Sequence, residues 1–392
     1  MRITFIGGFS DEEDKGVIEQ NLGYLPYFSS DPLQKSVVNE LSHLVDEKIR
    51  VYNMIFYPTT KRVFYSSGST RVNDVCEKIN VPFLNLKLFV HFSKAFHLFF
   101  HLLKGPRSKN IVIYSSYYPF LMAVSWYKRL KPTNVVLILP DLPQFIGLNS
   151  NQGLYSKISR WARTSLFNHY KKVADSYVFL TEQMNYLINN QNKDYCVIEG
   201  VASNDYVYHN FQNEGDIKTV LYSGTLQLKY GITVLLEAIK FVKYQNVRFV
   251  FYGSGEGKNN ILEAAATDQR VFYGGAIGRD SLNVEQQKAT ILINPRQNNN
   301  EFTKYSFPSK IIEYMLSGRP VIAYKLDGTP DEYDNYLIYP ENDTPLSLAS
   351  LIDKLLSIEK TVLDAKGKSN REFILREKTE ERQVKKMMKL IV

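Results

Sequence analysis

The chain has 392 residues, 44% apolar and 22% charged, with 48 Lys and Arg against 40 Asp and Glu and a formal charge of +8. That length exceeds one ordinary core and suits two domains of common size, and the composition excludes a disordered or low-complexity protein. No run of about 18 apolar residues is present, so no spanning helix is expected, and the basic excess leaves nucleic acid, an anionic membrane surface or phosphorylated substrates as partners.

The N-terminus, Met1-Arg2-Ile3-Thr4-Phe5-Ile6, runs straight into a strand at 2–6 and a Gly7-Gly8 turn. It reads as the start of a mature domain and not as a secretory signal. Further strands are expected at 49–55, 110–114, 134–139 and 176–180, with helices at 36–45 and 155–173. Between 87 and 104 polar residues fall at Lys87, His91, Lys94, His97, His101 and Lys104. The steps of three and four draw a basic stripe down a helix otherwise made of Leu, Phe, Val and Ala. Such a helix either docks in a membrane interface or packs on a sheet with the stripe in solvent. Asp141, between prolines at the end of the 134–139 strand, either works on an acceptor hydroxyl or caps a turn. Asp175 reads as structural.

Residues 200–215 are polar and aperiodic, the best linker, so the expected domains are 1–205 and 206–392, with the last helix free to pack back on the first. Strands follow at 218–222, 247–252, 271–273, 290–293 and 320–323, and helices at 231–244, 258–266, 286–290 and 310–316; the tail from 366 to 392 is charged and helical in period. Alternating strands and helices predict parallel α/β sheets, whose ligands bind beyond the carboxyl ends of the strands. Two turns there suit a diphosphate. One is Ser223-Gly224-Thr225-Leu226-Gln227-Leu228-Lys229-Tyr230-Gly231, with small residues and a cation. The other is Ser306-Phe307-Pro308-Ser309-Lys310, opening a helix that carries Glu313 and ends at Gly318 before Pro320. An acid one turn inside such a helix can accept from a ribose diol, or it is merely a solvated helix residue.

The run Gly253-Ser254-Gly255-Glu256-Gly257 has Lys258 where a dinucleotide fingerprint needs its last glycine, and is weak evidence for one. Cys76 and Cys196 are far apart and fit inert thiols in a reduced cytoplasm. No D-x-D, no ligand-spaced His/Cys/Asp cluster and no nucleic-acid module occurs, so neither a metal, a cofactor nor a nucleic-acid partner is expected.

The stretch Pro308-Ser309-Lys310-Ile311-Ile312-Glu313-Tyr314-Met315, followed by Gly318, Pro320, Val321 and Ile322, resembles the nucleotide-sugar loop of the retaining GT-B glycosyltransferases of family 4. That resemblance implies two Rossmann-like parallel-sheet domains facing each other across a cleft. It implies that Glu313 holds the donor ribose, that Lys229, Ser309 and Lys310 hold the diphosphate, and that Gly7 and Gly8 close over it. Gly224 matches the family's diphosphate turn, and Gly224, Thr225, Ser306 and Phe307 fall in the donor loops. Ala276 and Ile277, at the end of the 271–273 strand, inherit the base contact. Three positions depart from the pattern. Thr225 stands where the family has Arg, leaving Arg296, Arg319 or Lys310 as substitutes, Lys229 lies one residue earlier than the family's usual Lys, and Tyr305 stands where the family often has a first Glu. The loop Tyr114-Ser115-Ser116-Tyr117-Tyr118-Pro119 lacks the His that relatives often carry. On this reading Asp141, Lys229 and Glu313 are the catalytic candidates. The implied activity is transfer from a nucleotide-sugar, UDP-linked, to a lipid-linked or polysaccharide acceptor, for bacterial capsule, exopolysaccharide or O-antigen, in the cytoplasm or at the inner membrane face. A non-catalytic GT-B partner subunit and a nucleotide-sugar 2-epimerase are the alternatives.

Overall fold

The computed structural model describes residues 2–10, 31–54, 64–65, 70–72, 74–86, 89–145, 154–209, 211 and 217–391. The chain forms two compact units, Met1–Ile198 with Glu380–Val392, and Glu199–Thr379.

Among the described residues the main sheet of the first unit has eight strands: β1 (Ile3–Gly7), β2 (Ile49–Asn53), β4 (Thr70–Val72), β5 (Cys76–Asn80), β7 (Asn110–Tyr114), β8 (Asn134–Leu139), β9 (Ser176–Phe179) and β10 (Tyr195–Val197). Their order is β10-β9-β8-β7-β1-β2-β5-β4. All pairs are parallel except β4 with β5. Two further short strands, β3 (Phe64–Tyr65) and β6 (Phe83–Leu84), pair antiparallel. Strands β1 and β9 are buried at every position, as apolar runs covered on both faces must be. The helices are α1 (Asp31–Leu44), α2 (Val90–Lys104), α3 (Tyr118–Leu130), α4 (Leu154–Tyr170) and α5 (Glu182–Ile188), and the C-terminal helix α12 (Glu380–Met388) packs on α1. Strand order reverses between β1 and β7, the position where open α/β sheets leave a crevice.

The second unit has β11 (Lys218–Ser223), β12 (Val247–Tyr252), β13 (Val271–Gly275), β14 (Ile291–Asn294) and β15 (Val321–Ala323), all parallel, in the order β13-β12-β11-β14-β15. Here the reversal lies between β11 and β14. Helices α6 (Ile232–Ile239), α7 (Lys258–Thr267), α8 (Arg279–Lys288), α9 (Lys310–Leu316), α10 (Pro345–Leu356) and α11 (Lys360–Glu377) complete it. Where the chain enters and leaves this unit it is clasped: Ala202 N–H donates to the Lys378 carbonyl at 2.7 Å, and the buried Lys378 ammonium pairs with Glu199 and Glu332. The 200–215 stretch expected as a linker thus begins inside the second unit; positions 210 and 212–216 lie outside the described residues.

Three expectations need correction. The helix placed at 286–290 is the longer α8, whose sparse apolar residues hide it from a periodicity search. The helix placed at 231–244 stops at Ile239. The third is α2. Its basic stripe turns inward from His91 to His101, with Lys104 left exposed: Lys94 is 3% exposed, its ammonium 4.2 Å from the centre of the Phe83 ring, and His91, His97 and His101 are partly covered. Phe89, Phe92, Phe96 and Phe100 face solvent instead. Polar and aromatic residues recur with the same three-and-four spacing, so the helical wheel offered two candidate inner faces and could not rank them. Lys87 lies outside the described residues.

Candidate functional site

The carboxyl end of β11 is set by close backbone packing. Gly224 takes φ 150° and its N–H donates to the Tyr252 carbonyl at 3.0 Å. A Cβ on Gly253 would lie 1.9 Å from the Gly224 carbonyl oxygen, so the glycine run after β12 is what lets the two turns stack. Leu226 N–H then donates to the Ser254 carbonyl at 2.8 Å. The Tyr222 hydroxyl donates to the Thr225 carbonyl at 2.9 Å, leaving the Thr225 side chain exposed. At Gly231, φ is 87° and a Cβ would meet the Pro295 carbonyl at 1.9 Å. The turn after β11 therefore lies directly against the loop after β14, at the reversal of strand order.

That contact brings two cations together. The Lys229 Nζ sits 5.3 Å from the ring centres of both Tyr230 and Phe302. The Arg296 guanidinium lies 5.2 and 4.7 Å from the same two rings. Arg296 Nη2 donates to Ser306 Oγ at 2.6 Å, and Ser306 in turn donates to the Phe302 carbonyl at 3.0 Å. Burial, and then the Arg296 charge, lower the Lys229 pKa from its usual value, with Glu256 opposing. A further cation close by is Lys310, whose stem passes 3.9 Å from where a Gly224 Cβ would be. Of the three substitutes for the missing Arg at position 225, Arg296 and Lys310 thus border the turn. Arg319 does not: it donates to the Gln287 and Phe211 carbonyls and to Asp364, fixing α8 and α11 instead.

Helix α9 is held to β11 by Tyr314, which is fully buried. Its hydroxyl accepts from Ser223 N–H at 2.7 Å and donates to the Ser223 carbonyl at 2.8 Å. One residue before it, Glu313 accepts from Lys310 Nζ at 2.5 Å, both side chains about a third exposed. Ser309 caps the helix start, exposed and with no side-chain cap bond. The Phe307 ring is buried against Tyr333, at 5.1 Å between centres, so only its backbone borders the loop. Ala276 and Ile277 are exposed just past β13. Glu301, near the expected first acid, is exposed in the short 3₁₀ segment Glu301–Tyr305.

In the first unit Gly7 and Gly8 end β1. Neither adopts a left-handed φ. A Cβ on Gly7 would lie 2.3 Å from Gln34 Oε1 and 2.7 Å from the Phe5 ring, so a larger residue there needs both side chains to shift. The Gln34 amide also accepts from Gly8 N–H at 3.0 Å and donates to its carbonyl at 3.1 Å. Across the reversal, Ser115 at the end of β7 holds φ 94°, a strained value for a residue with a Cβ. Beside it His91 Nδ1 lies 3.0 Å from the Tyr117 hydroxyl, with the His91 ring 5.2 Å from that of Tyr118. A histidine from the first turn of α2 thus lies beside the 114–119 loop, which has none of its own; sequence spacing carried no signal of it. Burial lowers its pKa, and Lys94 and Arg163 add to the effect. Asp141 is exposed just beyond β8, and Asp175 pairs with Lys128 at 2.5 Å, a structural contact. Among the described residues no three His, Cys, Asp or Glu side chains gather as a metal site, and no helix is long and apolar enough to cross a membrane.

Residues 217–357 match the family model of glycosyl transferases group 1. No curated protein matches the chain by sequence. Among solved structures, the chain superposes on sucrose-phosphate synthase from Thermosynechococcus elongatus with a TM-score of 0.71 at 15% identity, covering 100% of this chain and 98% of the other. It superposes on WaaG, a glycosyltransferase involved in lipopolysaccharide biosynthesis, with a TM-score of 0.65 at 13% identity, covering 100% and 99%. For the lipopolysaccharide outer core galactosyltransferase WaaB the values are 0.63 and 12%, covering 100% and 99%. Residues 217–357 thus match the group 1 glycosyl transferases, and the chain as a whole has the GT-B fold of the glycosyltransferases it superposes on.

Proposed function

We propose that the chain moves a sugar, with retention, from a UDP-linked donor to a lipid-linked or polysaccharide acceptor in the assembly of a bacterial surface polysaccharide. The observation that carries this reading is the convergence of Lys229 and Arg296 on one pair of rings at the β11–β14 reversal, with Glu313 a short distance along the same rim. Cations held against aromatic faces and partly withdrawn from water bind a diphosphate more strongly than surface lysines do. Glu313 exchanges its Lys310 partner for the ribose hydroxyls, which frees Lys310 for phosphate. Ser309 and the Ser306 and Gly224–Thr225 backbone line the donor, and Ala276 and Ile277 face the base.

In the reaction the bond from the anomeric carbon to the diphosphate oxygen breaks and one to the acceptor oxygen forms on the same face. The acceptor proton passes to the departing phosphate oxygen, so no protein nucleophile is needed. Lys229, Arg296 and Lys310 stabilise the charge that develops on the leaving group; no cofactor or metal enters the proposal. Asp141 is assigned to orienting the acceptor hydroxyl. The group 1 match and the lipopolysaccharide enzymes among the structural neighbours support the pathway class. We place the activity in the cytoplasm.

Calorimetry with UDP tests the proposal. Binding that is lost in Lys229→Ala is expected. Wild-type protein that does not bind UDP points to the partner-subunit alternative. Interconversion of UDP-sugars without acceptor points to the epimerase.

A further inference from the structure

Between Lys78 and Ala174 the sequence holds 14 Lys and Arg and one acid, Asp141. That segment carries +13, against −5 for the remainder of the +8 chain. It contains α2, α3 and α4, of which α2 packs on α3 and α3 on α4. On this charged background lies an uncovered aromatic row. Phe89, Phe92, Phe96 and Phe100 are 61%, 55%, 43% and 39% exposed, at helical spacing on one side of α2. The rings meet along the helix, Phe92 and Phe96 stacked at 6.0 Å between centres and Phe96 and Phe100 tilted at 4.6 Å. Trp126 of α3 buttresses the row edge-on from below, 6.1 Å from Phe92 and 5.7 Å from Phe99. On α4, Trp161 is 72% exposed.

The row runs on into Lys104, and the basic end of α3 converges there: Lys131 Nζ reaches the Leu103 carbonyl at 3.5 Å. Lys104, Arg107 and Arg129 are exposed at this end. Rings exposed in water at such a density are costly unless something covers them. A second copy of the chain would bring the same positive surface against this one, and like charges oppose that pairing. A sheet of anionic headgroups over acyl chains answers both features at once, taking the rings into the boundary layer and the cations to the phosphates.

We propose that the α2 face of the first unit docks on an anionic phospholipid surface through Phe92, Phe96 and Phe100, with Lys104 and Arg129 at the headgroups. Docking uses the aromatic face of α2 and not the stripe of His91, Lys94, His97 and His101, which is turned inward. It would hold the first unit at the surface where a lipid-linked acceptor lies. It does not depend on the donor reading, because it requires no nucleotide.

Flotation of the full chain with vesicles tests it, without substrate. Binding to equimolar phosphatidylglycerol and phosphatidylcholine should exceed that to pure phosphatidylcholine at least about ten-fold, and fall in high salt. The triple variant Phe92→Ser, Phe96→Ser, Phe100→Ser should lose about ten-fold or more in partitioning, with UDP binding unchanged. If that variant does not fold, Lys104→Gln with Arg129→Gln provides the second arm, expected to lose the preference for anionic vesicles. Equal binding to both vesicles, or wild-type partitioning by the triple variant, overturns the proposal. So does a wild-type dimer in sedimentation that the triple variant dissociates, since the face would then pair copies of the chain. Loss of UDP binding with intact flotation would count against the donor site alone.

Discussion

Glu313→Gln separates a binding acid from a structural one. In the structure the carboxylate is 2.5 Å from Lys310 Nζ, one turn along α9, with the two side chains 27% and 32% exposed. An i,i+3 pair at that exposure contributes only about 0–1 kcal/mol to folding. The melting temperature should therefore move by no more than about 4 °C. A ribose diol donating to the carboxylate makes charge-assisted bonds, worth about 1.5–3 kcal/mol each. Glutamine keeps one acceptor and loses the charge. Allowing up to about 1 kcal/mol to release Lys310, the net loss is about 1.5–3 kcal/mol, or roughly 10- to 150-fold in Kd. Calorimetry with UDP and 2′-deoxy-UDP reads it directly: wild-type protein should discriminate between them, and the variant should not. Wild-type affinity in the variant, within about two-fold, or equal binding of both nucleotides by wild-type protein, would refute the role.

Other consequences follow from individual contacts. Lys229→Ala and Arg296→Ala should each raise the donor KM by about ten-fold or more, and Arg296→Lys should not restore it, because the fork that holds both the rings and Ser306 is gone; normal donor kinetics in either alanine variant would remove the cation pair from the site. Gly253→Ala forces a Cβ to within 1.9 Å of the Gly224 carbonyl at φ 136°. It should cost more than about 2 kcal/mol in urea unfolding, and an unchanged midpoint would contradict the stacked turns. Lys94 is predicted to make stability depend on pH. Burial lowers its pKa from 10.5 to about 7, so between those values the unfolded chain binds more proton and folding stability rises with pH. Lys94→Met removes that term: the variant should be the more stable near pH 7, by at most about 5 kcal/mol, and the gap should narrow toward pH 10. A gap independent of pH would refute it.

Local chemistry was legible in the sequence wherever one segment decides the outcome. Apolar runs bounded by polar turns gave β7, β8 and β12 at their observed limits, and Lys310–Leu316 came out residue for residue because a loop with Pro308 opens it and Gly318 closes it. The glycines after β11 and β12 were visible as a turn, though their purpose, stacking one turn on the other, needed both in place. Short strands such as Cys76–Asn80, which mixes Glu77 and Lys78 into its pattern, left no periodic trace. What only the tertiary structure decided was every choice between equivalents and every meeting of distant residues. Two stripes of equal spacing on α2 competed for the sheet, and packing against Phe83 and Tyr117 chose the basic one. Arg296 borders the turn at Thr225, and Arg319 does not, because sheet order places β14 beside β11 while Arg319 is tied to the Gln287 and Phe211 carbonyls. His91 reaches Tyr117 because α2 begins at the same edge of the sheet where β7 ends. A helical period is a property of a few neighbouring residues, whereas these pairings depend on which strand lies next to which, and that is fixed only when the whole sheet closes.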